Sequence, residues 1–162
     1  KDGYLYTART LCGDDYMPPG GRERWSDLGA GHELYCVGHL YEAAAAHVEA
    51  TGKRTLLDIA TRNADLVCSV FGPEPGKRRT PDGHPEVEIG LVKLWQATGR
   101  RRYLDLAAFF LERRGDPARR DRIGEYAQDH QPLAAQREAV GHAVRAVYLY
   151  SGAADVAALA GH

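Results

Sequence analysis

Three histidines, His32, His84 and His142, stand near the starts of segments that read as helices. Imidazole can hydrogen-bond a sugar hydroxyl or move a proton near neutral pH. In a ring of helices such side chains converge on a central cavity, which makes these three the candidate substrate-binding residues. Counted back from Gly52, Gly99 and Gly152, they lie 20, 15 and 10 residues away, so repeat symmetry alone does not set them at one depth. Taken singly, each histidine is equally open to a hydrogen-bonded structural role.

Other constellations carry less. In HELYCVGH, His32 and Cys36 share a helix face, and Glu33 follows His32 as in HExxH metal sites. Cysteine replaces the second histidine, and three ligands on one helix do not surround an ion from different directions. The sequence therefore assigns no metal ligand and no catalytic residue. Glu33, Glu86, Glu88, Glu125, Asp129 and Glu138 supply carboxylates. A glycosidase pair needs a separation of ~5–9 Å that spacing along the chain does not give. Glu33 and Glu86 also fall in first helical turns, where the helix dipole favours negative charge for structural reasons. There is no phosphate-binding glycine loop and no nucleophile elbow.

The elements that must position the histidines are helical. A helix is expected over His32–Thr51, closed by Gly52, with one stripe of Leu34, Val37, Tyr41, Ala45 and Val48. A second stripe is His32, Tyr35, Cys36, His39, Ala43 and Ala46, so this helix reads as enclosed on both sides. Arg54–Val70 is amphipathic on one side only, an outer helix. After a Pro/Gly loop at 72–83, a third helix is expected from near His84, with Pro85 in its first turn. A fourth is expected over Arg101–Arg113, a fifth over Gln136–Tyr150 closed by Gly152, and a sixth from near Asp155. Residues 1–31 read as a loop-rich lead-in, broken by Gly13, Pro18, Pro19, Gly20, Gly21, Gly29 and Gly31 and carrying Tyr4, Tyr6, Tyr16 and Trp25.

An internal repeat supports this division. ATGKRTLLDIA (50–60) and ATGRRRYLDLA (97–107) match at seven of eleven positions, 47 residues apart. A period near 50 with helix–turn–helix content means stacked αα-hairpins, in an open solenoid or a closed ring. The expected fold is all-α, antiparallel helical hairpins, with residues 1–162 as one segment and hairpins at 32–71, 84–115 and 136–162.

Bulk properties exclude some classes. The 162 residues are 44% hydrophobic, enough for one sizeable core. A net charge of -1 argues against nucleic acid and anionic membrane as partners. No apolar run approaches the ~20 residues of a membrane span. Cys12, Cys36 and Cys68 are odd in number and far apart, which favours a reducing compartment and a cytoplasmic location. The chain starts at Lys1, and a last helix is barely begun at His162, so both ends read as excised.

Several strings occur together in order: DGYLYT (2–7), HELYCVGHLYEAA (32–44), GHPEVEIGLVKLWQATG (83–99), YLDLAAFFLERRG (103–115) and YAQDHQPLAAQREAVGHAVRA (126–146). With these the chain resembles the catalytic domain of glycoside hydrolase family 127, the β-L-arabinofuranosidase-type enzymes. The resemblance implies an (α/α)6 barrel, of which this chain is part. It implies that His32, His84 and His142 match histidines lining the sugar pocket. It further implies retaining hydrolysis, with a zinc-held cysteine thiolate as nucleophile and a glutamate as acid/base. The zinc ligands of that family lie in a Glu-x-Cys string and a Cys-Cys pair downstream of the AVGHAVRA helix; neither string is present here, and Cys12, Cys36 and Cys68 match no family nucleophile.

The expectation is therefore a part of a glycoside hydrolase that takes a small arabinofuranoside-like carbohydrate, with no cofactor in this chain and zinc in the complete enzyme. The chain alone is expected to be inactive, with self-association through open barrel edges. Two alternatives stand beside it. A non-enzymatic helical-repeat scaffold predicts histidines more than about 15 Å apart, beyond an ordinary ligand pocket. An epimerase or lyase on the same barrel is the other, because fold does not fix reaction.

Overall fold

A computed structural model describes residues 2–12, 21 and 23–160. The described residues are all-helical: α1 (Thr7–Cys12), α2 (Glu33–Thr51), α3 (Thr55–Val70), α4 (Val87–Thr98), α5 (Arg101–Arg113) and α6 (Ala143–Ala160). Short 3-10 turns lie at Glu125–Ala127 and Leu133–Ala135. Gly13, Tyr16, Pro18, Pro19 and Gly20 of the expected lead-in, and His162, lie outside the described residues.

The repeat is the turn of each hairpin. Gly52 (φ 69°) and Gly99 (φ 71°) adopt the left-handed conformation, and their N–H groups donate to Val48 O and Trp95 O. Only glycine enters that region without steric cost, so each ends its helix and reverses the chain. The hairpins α2–α3 and α4–α5 stack into two layers. Helices α2, α4 and α6 are neighbours in one layer; α3 and α5 form the other. This is an arc of an (α/α)6 barrel.

The core lies between the layers. Leu34, Val37, Tyr41 and Ala44 of α2 meet Leu57, Ala60, Ala64 and Val67 of α3. Helix α4 is buried at every position from Val87 to Val92. Tyr103, Leu104, Ala107 and Phe110 of α5 close the core from the outer layer. Each fully buried large aliphatic or aromatic side chain contributes roughly 1.5–3 kcal/mol relative to exposure. Gly38 and Gly90 let α2 and α4 touch backbone to backbone: a Cβ on Gly90 would lie 2.4 Å from Gly38 O.

Four expectations are corrected. The 1–31 segment contains helix α1 rather than loop alone. The third helix starts at Val87, not near His84. Residues before it are tied to the 25–31 loop, where Gly83 N–H donates to Leu28 O and a Cβ on Gly83 would meet Gly29 O at 2.4 Å. The segment 136–162 is not a hairpin: 136–142 is irregular and one helix runs through Gly152. The Gln128 side chain holds Val140 O at 2.8 Å, and Gly141 (φ 74°) packs on Glu125 O, which keeps 136–142 out of helix. Gly152 is needed inside α6, where a Cβ would sit 3.2 Å from Glu88 Cβ. Along α6, Val144 and Val147 are exposed and Arg145, Ala146 and Leu149 are buried. Finally, the second stripe of α2 is open rather than enclosed, with Cys36, Ala43 and Ala46 exposed. No described helix is long and apolar enough to cross a membrane.

Candidate active site

The N-terminal ends of α2, α4 and α6 carry the three histidines together. His32 and His84 have ring centroids 5.7 Å apart, and His84 and His142 are 6.3 Å apart. His84 is buried at the centre; the other two are half-buried. Separations this small fit a ligand pocket and not the dispersed histidines that a plain scaffold predicts.

Each ring is oriented by backbone. His32 caps α2 in the left-handed conformation (φ 57°), and its Nδ1 lies 2.7 Å from Ala30 O. His84 Nδ1 lies 2.9 Å from Pro85 O. A carbonyl oxygen only accepts, so both rings carry the proton on Nδ1 and leave Nε2 as an acceptor. His142 is the reverse. It precedes α6, and its Nδ1 accepts from Arg145 N–H at 3.4 Å, as an N-cap side chain does. Its neutral ring therefore presents Nε2–H as a donor. Two acceptors and one donor, with the His32 and His142 ring centroids 5.7 and 6.3 Å from that of His84, suit a polyol, whose hydroxyls both donate and accept. Burial, with the Arg145 guanidinium adding to it and the bond to Pro85 O opposing it, holds the His84 imidazole below its ordinary range. The central ring thus stays neutral near pH 7.

Tyrosines that sequence reasoning did not single out complete the wall. Tyr35 lies 4.4 Å from His84 and 4.6 Å from His39, centroid to centroid, and Tyr148 lies 5.7 Å from His84. Tyr126 stacks edge-on against His142 at 5.3 Å, with the Arg145 guanidinium 5.0 Å over its ring. The signal was available: Tyr35 and Arg145 each follow a candidate histidine by one helical turn. Such flat, amphipathic rings provide apolar stacking faces with polar tips.

Buried polar groups lock these elements. Asp82 Oδ2 accepts from Tyr35 N–H at 2.7 Å and so caps α2 from another segment. Burial pushes the Asp82 carboxyl up to about 7. Arg114, 1% exposed, donates to Asp82 O at 2.7 Å and pairs with Glu88 at 3.5 Å. Arg145 donates to Gly83 O, joining the start of α6 to the segment that carries His84. A separate cavity of about 420 Å³ beside residues 78–83 contains none of the histidines. Its arginines are committed within the protein, Arg78 to Trp25 O at 2.8 Å and Arg119 to Asp121 at 3.0 Å.

The donor set does not fit a zinc–thiolate centre. Cys36 and Cys68 are free, on different helices, and burial raises both thiols, Cys68 to about 12. A thiolate ligand or nucleophile needs the opposite shift. Among the described residues no cysteine joins a cluster of potential metal ligands.

Comparison with known proteins gives the same fold. Residues 1–162 match the family described as β-L-arabinofuranosidase, GH127 catalytic domain. The non-reducing end β-L-arabinofuranosidase of Bifidobacterium longum subsp. longum is 38% identical over 179 residues, an alignment that covers 99% of this chain and 27% of that protein. A solved GH127 β-arabinofuranosidase superposes with a TM-score of 0.87 at 50% identity, covering 99% of this chain and 25% of the other. A GH127 β-L-arabinofuranosidase from Geobacillus stearothermophilus T6 gives 0.86 at 40% identity, covering 99% and 27%. The chain thus spans about a quarter of the length of these relatives. It belongs to the glycoside hydrolase family 127 catalytic domains.

Proposed function

We propose that this chain forms the sugar-binding wall of a β-L-arabinofuranosidase-type retaining glycoside hydrolase. In this reading the zinc-held cysteine nucleophile and the acid/base glutamate lie outside the chain. The carrying observation is the cluster of His32, His84 and His142, oriented to present two acceptors and one donor. The chain's residues bind and orient. The His32 and His84 Nε2 atoms accept from ring hydroxyls, His142 Nε2–H donates to one, and Tyr35 and Tyr148 shield the apolar faces of the sugar. Fixing the sugar this way removes orientational freedom ahead of bond cleavage.

The test is titration of the 162-residue chain with L-arabinose, followed through the histidine ring signals in NMR. The His84, His32 and His142 resonances should shift together and saturate. His84→Ala should abolish the shifts at the other two while the fold persists. Shifts that ignore His84→Ala, or no saturable change, would refute a carbohydrate site here. Assayed alone with an aryl β-L-arabinofuranoside, the chain should release no sugar; zinc-dependent turnover would place the nucleophile inside it.

A further inference from the structure

One turn along α2 from Tyr35, a second polar cluster joins α2 to the start of α4. His39, Glu42 and Glu86 each offer one ligand atom, and the three atoms lie within 4.8 Å of one another. Glu86 is fully buried, and neither of its carboxylate oxygens has a hydrogen-bond partner. Among the described residues its one ion-pair partner is His39, whose Nδ1 lies 3.2 Å from Glu86 Oε1 and 3.4 Å from Glu42 Oε2. A single imidazole nitrogen is therefore shared between two carboxylates. An anion buried with so little compensation costs several kcal/mol. Burial, followed by the hydrogen bond that the protonated group gives the adjacent Glu42 carboxyl and by that carboxyl's charge, pushes the Glu86 carboxyl up to about 10.

The surroundings make room for this carboxyl rather than quench it. A Cβ on Gly38 would meet the Glu86 carboxyl and lie 2.8 Å from Val87 Cα, a backbone atom that cannot rotate away, so glycine is required beside it. The donors come from two elements: His39 and Glu42 from α2, and Glu86 from the residue capping α4. An ion needs ligands from different directions, and this arrangement supplies them. The His39 and Glu42 side chains are 41% and 36% exposed, which leaves an entry path and open positions for water.

We propose that His39, Glu42 and Glu86 form a divalent-cation site. One imidazole and two carboxylates, with no thiol, suit a borderline to hard ion such as Mn²⁺ or Co²⁺. The ion takes a Glu86 oxygen as ligand and bridges α2 to α4 beside the Gly38–Gly90 contact. The inference is independent of the carbohydrate reading.

The experiment titrates the metal-free 162-residue chain with Co²⁺ by absorbance and with Mn²⁺ by calorimetry. One ion per chain is expected, with weak ligand-field bands and no thiolate charge transfer. Glu86→Gln and His39→Asn should each weaken binding at least tenfold, and Cys36→Ser should leave it unchanged. Glu86→Gln should melt no lower than the wild type without metal, which separates lost binding from lost fold. No saturable binding, or binding indifferent to both substitutions, overturns the proposal. So does an intense charge-transfer band abolished by Cys36→Ser. A protonated-carboxyl infrared band that disappears in Glu86→Gln, and that persists in the wild type at saturating Co²⁺, shows a shared proton in place of an ion and also overturns it.

Discussion

Gly90→Ala is the sharpest probe of how the inner layer is built. The added Cβ would lie 2.4 Å from Gly38 O, 2.9 Å from Gly38 Cα and 3.0 Å from Gly38 C. All three obstacles are backbone, so no side chain can rotate away. Restoring ordinary contact at ~3.5 Å or more requires α2 and α4 to separate by about 1 Å at their crossing. A gap of that size forfeits a quarter to a half of the dispersion well for the surrounding pairs, which include Leu34, Tyr41, Leu91 and Leu94. Overpacking of this kind costs typically ~1–3 kcal/mol, and immobile obstacles put this case at or above the upper end. Alanine returns about 1 kcal/mol of helix propensity. The net loss is about 2–3 kcal/mol, a fall in Tm of roughly 4–12 °C for a domain of this size. Gly52→Ala is the control, with φ 69° and nothing within 4 Å of its Cβ. It should cost only the ~1–2 kcal/mol of left-handed backbone. Thermal unfolding by circular dichroism measures both. A Gly90→Ala midpoint equal to the wild type, or a loss smaller than that of Gly52→Ala, would refute backbone contact between α2 and α4.

Arg114→Met should cost about 3–5 kcal/mol in urea unfolding, because it strands the buried Glu88 carboxylate and frees Asp82 O; a loss under 1 kcal/mol contradicts that pairing. Asp82 sets a pH dependence. Its folded carboxyl is raised from 3.8 to about 7, so between those values the folded chain holds a proton that the unfolded chain has released. Stability relative to Asp82→Asn should therefore fall as pH rises from about 4 to 7, by at most about 4 kcal/mol, and level off above; a flat difference curve refutes it. His84 works the other way, since its lowered folded value adds stability as pH rises towards 6.5. Tyr148→Phe keeps the stacking face and should leave stability within about 0.5 kcal/mol while weakening L-arabinose binding only if the hydroxyl contacts sugar, which a paired melt and NMR titration resolve.

The hairpins were legible because their turns are chemically explicit. Gly52 and Gly99 sit after a common Ala-Thr, and both take the left-handed cap that the repeat implied. The α5 boundaries, Arg101 and Arg113, are those its periodicity gave. Helix α6 runs past the expected end at Tyr150 because Gly152, which reads as a terminator, stands inside it. Only its contact with Glu88 and Ile89 shows why glycine belongs there. The irregular 136–142 stretch was invisible for a related reason: it is held by Gln128, whose grip on Val140 O is a long-range bond. Of the histidine cluster, the residues were readable and the convergence was not. Unequal distances from the closing glycines are absorbed by the non-helical 84–86 lead and by His142 standing outside its helix. The His39, Glu42 and Glu86 group escaped because it joins two elements at a contact set by Gly38.

The Arg145 bond to Gly83 O closes a span of 62 residues, and the Asp82 cap on Tyr35 closes one of 47. Neither belongs to a hairpin, so neither forms when a hairpin does. During synthesis the α2–α3 and α4–α5 units can collapse as they emerge, at local loop cost only. The histidine cluster waits for α6, which leaves the ribosome after both hairpins and whose arginine ties down the His84 segment. A nascent chain stalled before Arg145 should therefore carry packed hairpins and an unassembled sugar wall, with the apolar flank of α4 still bare and available to chaperones.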